Sequence, residues 1–218
     1  MKAKLISHSQ TPKVEVPQST LDLIAYCARV SNPSNQNNTE TNEKLVKYLM
    51  KHKHWSPLEM VSACIEIETT RDIARQILRH RSFSFQEFSQ RYADPTKDLK
   101  FVTREARLQD PKNRQNSVEV EDQQLQKEWY RAQQRVIYAA QREYEWAIAN
   151  GIAKEQARAV LPEGLTESRL YMNGTLRSWI HFIELRSANG TQKEHQEVAR
   201  ACAEVIATVF PMASSLVQ

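Results

Sequence analysis

The segment Gln76–Tyr92, QILRHRSFSFQEFSQRY, crowds more hydrogen-bond donors into a short stretch than a hydrophobic core could satisfy. Arg75 and Arg79 stand four apart in a helical pattern, so their guanidinium groups share a face, with His80 and Arg81 at its C-terminal end. If the chain beyond is extended, Phe83, Phe85, Glu87, Ser89 and Arg91 line one side, and Ser82, Ser84, Gln86 and Phe88 the other. A carboxylate, a hydroxyl and a guanidinium in one row suit a phosphorylated ligand. Arg and Ser bind phosphate oxygens, while Glu accepts from a sugar hydroxyl or orients an arginine. The plainer alternative is a solvated basic surface, since cations at a helix C-terminus complement the macrodipole without further function. No glycine-rich phosphate loop is present, and the chain has only 4 glycines, so the residues alone leave both readings open.

Other reactive side chains give weaker signals. Cys27, Cys64 and Cys202 are far apart and form no CxxC pair, which argues against a disulfide framework or zinc knuckle and for a reducing compartment. His52 and His54 form an HxH pair without a clear third ligand, so no metal site is expected. The net charge of +4 suits an anionic ligand but is modest for a nucleic-acid binder. The N-terminus lacks a signal-peptide pattern and nowhere runs the apolar stretch of about 18 residues that a membrane span needs, so the expected location is cytoplasmic.

These residues must be positioned by the elements around them. KAKLISH and VSACIEIET alternate as strands, the second with Val61, Ala63, Ile65, Ile67 and Thr69 on one face. Helices are expected in STLDLIAYCARV, capped by Ser19, in EKLVKYLMKH, and in TRDIARQILRH, capped by Thr70. KFVT is a further candidate strand, Arg104 to Ser117 a polar loop, and a long helix then runs from Ser117 toward Asn150, with Gly151 as a C-terminal cap. In that helix Leu125, Trp129, Ala132, Val136, Ala140 and Tyr144 recur at packing intervals. AKEQARAVL, TLRSWIHFIEL and EHQEVARACAEVIATVF read as helices and LTESRLYM as a strand. No repeat or linker divides the 218 residues, which implies one α+β domain.

RHRSFSFQEFSQR resembles the signature of the flavin-dependent thymidylate synthases: Arg-His-Arg, seven residues, Ser, then Arg two positions on. Arg79, His80, Arg81, Ser84, Ser89 and Arg91 match it, and Gln86 stands where the family has asparagine. HWSPLE resembles its upstream flavin segment, ARAVLP a phosphate-binding segment, and LRSWIHFIELR with QKEHQE its C-terminal part. The resemblance runs from about Lys44 to the last helix; Thr175 and Gly190 depart from common Asn and His positions.

The resemblance implies a mainly antiparallel sheet flanked by helices and one long helix. It also implies conversion of dUMP to dTMP, with 5,10-methylenetetrahydrofolate as carbon donor, FAD as hydride carrier and NADPH as reductant. Members assemble as homotetramers with shared active sites. By match, Gln76, Arg79, Glu87, Ser89, Arg91, Arg158 and Arg186 are the dUMP candidates, with Ser89, Arg91 and Arg158 at the phosphate. Arg186 is the catalytic candidate, because a guanidinium beside the pyrimidine carbonyl stabilises charge developing on the ring. His54, Ser56, Glu59, Arg79, His80, Arg81, Arg177 and His181 are the FAD candidates. No cysteine sits in a recognisable nucleophile setting. Two competing readings remain: a single-strand nucleic-acid module using Phe83, Phe85 and Phe88 as a stacking platform, and a catalytically silent flavoprotein of the same fold.

Overall fold

The computed structural model of the chain describes residues 1–11 and 19–216, the last three as backbone only. The N-terminal half comprises β1 (Lys2–His8), α1 (Thr20–Ala28), α2 (Asn42–Lys51), β2 (Ser62–Thr70), α3 (Arg71–Ile77) and β3 (Ser84–Glu87). After the short α4 (Pro95–Asp98) comes a hairpin of β4 (Arg107–Gln109) and β5 (Ser117–Glu119), then the long α5 (Gln123–Ala149). The chain closes with α6 (Lys154–Ala157), β6 (Glu167–Thr175), α7 (Leu176–Ser187) and α8 (Lys193–Ala207). The architecture is α+β: an antiparallel four-stranded sheet in the order β1-β2-β6-β3, flanked by helices, with β4 and β5 forming a separate ribbon.

The strand alternation of β2 does what a period of two dictates. Val61, Ala63, Ile65, Ile67 and Thr69 are all buried, and β6 presents Ser168, Leu170, Met172 and Gly174 to the interior in the same way. α7 and α8 cover this face, and Trp179 at its centre donates its indole N–H to the Ala63 carbonyl at 3.0 Å. Gly174 is required by a close approach. A Cβ there would lie 2.4 Å from the Phe83 ring, which packs edge-on against Trp179 with centroids 4.9 Å apart. That contact seats the chain entering β3, and hence the donor-rich segment, on the sheet edge.

Several expected boundaries shift. α3 ends at Ile77, so Arg79, His80 and Arg81 lie in the turn beyond it rather than on its last turn. Thr70 stands at the N-cap of α3, but its hydroxyl donates to the Asp72 carboxylate at 2.6 Å instead of accepting from the helix amides. The extended stretch after it spans only Ser84–Glu87. Its edge pairing with β6 gives out after Phe88, whose N–H donates to the Arg169 carbonyl at 2.8 Å, and the chain turns back on the Ser89 carbonyl, which accepts from the amides of Tyr92 and Ala93. Ser89 and Arg91 therefore leave the row that Glu87 belongs to. KFVT contributes one isolated bridge, Phe101 with Thr166, rather than a strand. The supposed polar loop holds the β4–β5 hairpin, so Ser117–Glu119 is strand and the long helix starts at Gln123 behind an Asp122 cap.

Gly151 follows α5 with φ +77°, as a C-terminal cap needs. The apolar stripe of α5 splits in two. Ala140, Tyr144 and Ala147 are buried with Ala157 and Leu161, whereas Trp129 and Val136 are exposed, so their spacing does not reflect packing within this chain. The glutamines that interrupt the stripe are anchors: Gln126 pairs with the backbone N–H and C=O of Ala106, and buried Gln133 with those of Arg104. Arg104, held in this way, clamps Asp72 with bonds of 2.7 and 2.9 Å and ties the start of α3 to the long helix.

Candidate active site

The turn after α3 lies against the last turn of α7. There the Nε–H of Arg186 donates to His80 Nε2 at 2.9 Å. An arginine has no lone pair to offer, so His80 must meet it as an unprotonated acceptor, with its proton on Nδ1. Burial, and after it the Arg186 charge, hold His80 down to about 4. His195, fully buried on α8, lies next to this pair, and burial, then Arg186 and the neighbouring His80, bring it to about 3. The Arg186 guanidinium is itself lowered by burial and by Arg79 beside it. No carboxylate pairs with Arg186 among the described residues, so two of its three nitrogens carry uncommitted N–H groups. Gln76 reaches the same place from α3. It donates to Gln192 Oε1 at 2.9 Å, and its own oxygen faces His195 Nδ1 at 3.2 Å.

A second group forms where β3 meets β6. Glu87 accepts from Ser168 Oγ at 2.8 Å and from the Arg71 guanidinium at 3.3 Å, with both charged partners largely shielded. Arg71 opens onto a cavity of about 250 Å³ that Arg75, Gln90, Arg158, Glu163 and Thr166 also line. Arg75 is committed to Glu163 at 2.6 Å, whereas the Arg158 guanidinium has no hydrogen-bond or ion-pair partner among the described residues. Three guanidinium groups and one carboxylate line this space, and Arg158 is the guanidinium left with its N–H groups uncommitted toward an anion.

A third group joins the turn Ser56–Glu59 to α7. Leu58 is buried beneath it, Glu59 pairs with Arg177, and the Trp55 ring stands edge-on to His181 with centroids 4.6 Å apart. His54 and Ser56 are exposed beside it.

The predicted residues are thus brought together in part. Gln76, Arg79, His80 and Arg186 form one cluster, while His54, Ser56, Glu59, Arg177 and His181 flank the same α7 helix. Glu87 and Arg158 belong to the sheet-edge group, where Glu87 is already engaged in orienting Arg71. Ser89 and Arg91 do not line the Arg158 cavity; Arg91 pairs with Glu155 at 3.4 Å, and its backbone N–H meets Ser89 Oγ. Arg81 is exposed. The two departures from the family pattern in the C-terminal part have local reasons. Thr175 caps α7 by accepting from the Ser178 amide, and Gly190 has φ +88° in the turn between α7 and α8.

Sequence reasoning missed Arg71 as a site residue, and Gln192, Glu194 and His195 altogether. The signal was present: Glu194 and His195 open the stripe that continues through Val198, Cys202 and Ile206, so polar groups occupy the buried face of an amphipathic helix. The stacking-platform reading fails, because Phe83 and Phe85 pack against the core instead of presenting their faces. Burial raises all three thiols, Cys27, Cys64 and Cys202, which is opposite to what activates a nucleophile. Among the described residues no group of three or more His, Cys, Asp or Glu could hold a metal ion, and no helix is long and apolar enough to cross a membrane.

An α+β scaffold that gathers guanidinium groups where the turn after α3 meets α7 and at the sheet edge, with Arg79, Arg81 and Arg158 lacking carboxylate partners among the described residues, has the chemistry of an anion-binding protein. The model of the family described as thymidylate synthase complementing protein matches residues 14–212. Over 97% of its length the chain is 50% identical to a "Probable flavin-dependent thymidylate synthase" of Paramecium bursaria Chlorella virus 1, covering 96% of that protein. It is 48% identical to the flavin-dependent thymidylate synthase of Synechocystis sp., with 93% of this chain and 91% of that one aligned. A crystal structure of a UMP/dUMP methylase PolB from Streptomyces cacaoi, bound with 5-Br dUMP, superposes with a TM-score of 0.81 at 27% identity, over 99% of this chain and 93% of that one. The chain belongs to the flavin-dependent thymidylate synthases, which are methyltransferases with FAD as cofactor.

The residues present fit that cofactor. The Arg79 and Arg81 guanidinium groups have no hydrogen-bond or ion-pair partner among the described residues, and exposed His181 lies one turn beyond Arg177, which pairs with Glu59. Such donors, free of internal carboxylates except at Arg177, match the chemistry of a dinucleotide pyrophosphate.

Proposed function

We propose that the chain, as a single domain of 1–218, converts dUMP to dTMP with 5,10-methylenetetrahydrofolate as carbon donor and NADPH as reductant. It works in the cytoplasm as a homotetramer with sites shared between subunits, for which the exposed Trp129, Val136 and Trp146 of α5 are suitable contact residues. The observation that carries the reading is Arg186, a guanidinium oriented by neutral His80 and opposed by no carboxylate among the described residues. Its free N–H groups bind the pyrimidine carbonyl edge and stabilise negative charge as it develops there. Gln76 and Arg79 border the pyrimidine and sugar. Arg158, with Arg71 oriented by Glu87, takes the phosphate, and Ser89 and Arg91 close the site where subunits meet.

The flavin, when bound, supplies hydride transfer. His54, Ser56, Glu59, Arg79, His80, Arg81, Arg177 and His181 are the residues that hold it, and the chain contributes binding, orientation and electrostatics. Purified protein titrated with FAD gains a bound-flavin absorption band, oxidises NADPH in its presence, and forms dTMP once dUMP and methylenetetrahydrofolate are added. A protein that never binds flavin overturns the proposal. One that binds it but forms no dTMP is the silent flavoprotein.

A further inference from the structure

Behind the Arg186 cluster runs a hydrogen-bonded chain whose polarity is set from one end. Arg107 can only donate, and its guanidinium lies 2.6 Å from Glu194 Oε1. Burial raises the Glu194 carboxyl, but its own backbone amide, Gln192 and Arg107 outweigh that effect and leave it lowered. Glu194 is therefore a carboxylate that can only accept. Gln192 must turn its Nε2 to the other carboxylate oxygen, at 2.9 Å. The Gln192 oxygen is then left to accept from Gln76 Nε2, also at 2.9 Å. Gln76 Oε1 consequently faces His195 Nδ1 at 3.2 Å, and since one of the two must donate, the proton sits on Nδ1.

Neither amide is free to flip, and His195 is left with a bare Nε2. That nitrogen is fully buried and has no hydrogen-bond partner among the described residues. The ring is bounded by Phe182, 5.8 Å away between centroids, and by His80 at 6.4 Å, so it forms the wall behind the His80–Arg186 pair.

We propose that His195 is a positioning residue. Its Nδ1–H fixes the Gln76 amide through the chain from Glu194 and Gln192, and its uncharged ring backs Arg186 without adding a second positive charge. The proposal rests on the reading of this cluster as the pyrimidine site. A neutral imidazole meets both demands: it donates once, from Nδ1 toward Gln76, and carries no charge toward Arg186.

Two measurements test it. In 15N-labelled wild-type protein without substrate, the His195 ring shows a protonated Nδ1 and an unprotonated Nε2; the opposite tautomer overturns the chain. The second compares His195→Asn, whose amide N–H₂ occupies the Nδ1 position, with His195→Gln, whose longer side chain carries its amide toward Nε2. With flavin binding equal in the two, His195→Asn keeps most of the wild-type kcat/KM for dUMP, while His195→Gln loses roughly tenfold, the order expected for one buried hydrogen bond. Equal activity in the two folded variants overturns the positioning role. If neither variant folds, the wild-type tautomer decides. Wild-type protein without dTMP formation refutes the functional reading instead, so the two failures are distinguishable.

Discussion

The acid response of His195 is a sharp quantitative consequence of this arrangement. In the unfolded chain its imidazole takes up a proton near the ordinary value of 6.5, whereas in the folded protein burial, Arg186 and His80 hold it to about 3. Between those values the unfolded state binds the extra proton. The stability contributed is therefore fully present above pH 6.5 and is lost as the pH falls toward 3. From pH 7 to pH 5 the proton affinity of the unfolded imidazole alone removes about 2 kcal/mol, because at pH 5 the folded ring is still almost wholly neutral. Asp72 and Glu194, both lowered in the folded state, also lose stability in acid, but they do so with or without an imidazole at 195. The assay is urea unfolding of wild type and His195→Asn at both pH values. The variant starts less stable, yet it should lose about 2 kcal/mol less between pH 7 and pH 5 than wild type does. Equal losses in the two proteins would refute the claim that a buried neutral His195 is linked to folding.

Three further outcomes follow from the geometry. Arg186→Ala should lower kcat for dTMP formation by roughly a hundredfold to a thousandfold, as loss of an electrostatic stabiliser does; Arg186→Lys should not restore it, since the donors of Lys sit on a single nitrogen and cannot span His80 and the pyrimidine as the planar guanidinium fork does. Near-normal turnover in Arg186→Ala would remove Arg186 from the chemistry. Arg158→Ala should raise the KM for dUMP roughly tenfold to a hundredfold with a smaller change in kcat, as expected for a charged hydrogen bond to phosphate; an unchanged KM moves the phosphate elsewhere. Gly174→Ala places a Cβ 2.4 Å from the Phe83 ring and should cost about 1 to 3 kcal/mol in urea unfolding. Unaltered stability would show that Phe83 yields more easily than its packing on Trp179 suggests.

Much of this protein was legible in local periodicity and short motifs. The alternation of VSACIEIET placed β2 with the correct face inward, because pleating fixes side-chain direction whatever the neighbours. The basic signature named Arg79 and His80, and the C-terminal segment named Arg186, as candidate site residues, because residue type and order survive folding. Tertiary structure decided what these residues touch. Edge pairing with β6 ends at Phe88 and the chain turns on the Ser89 carbonyl, which separates Ser89 and Arg91 from the cavity that Arg158 lines. The glutamines of α5 looked like interruptions of an apolar stripe, yet they anchor the backbone at Arg104 and Ala106. His195 passed for an ordinary member of an amphipathic helix. Its proton is located by Glu194, Gln192 and Gln76, and Gln76 lies more than a hundred positions away along the chain. Hydrogen-bond polarity is a property of a closed network of donors and acceptors, and only the folded chain closes it.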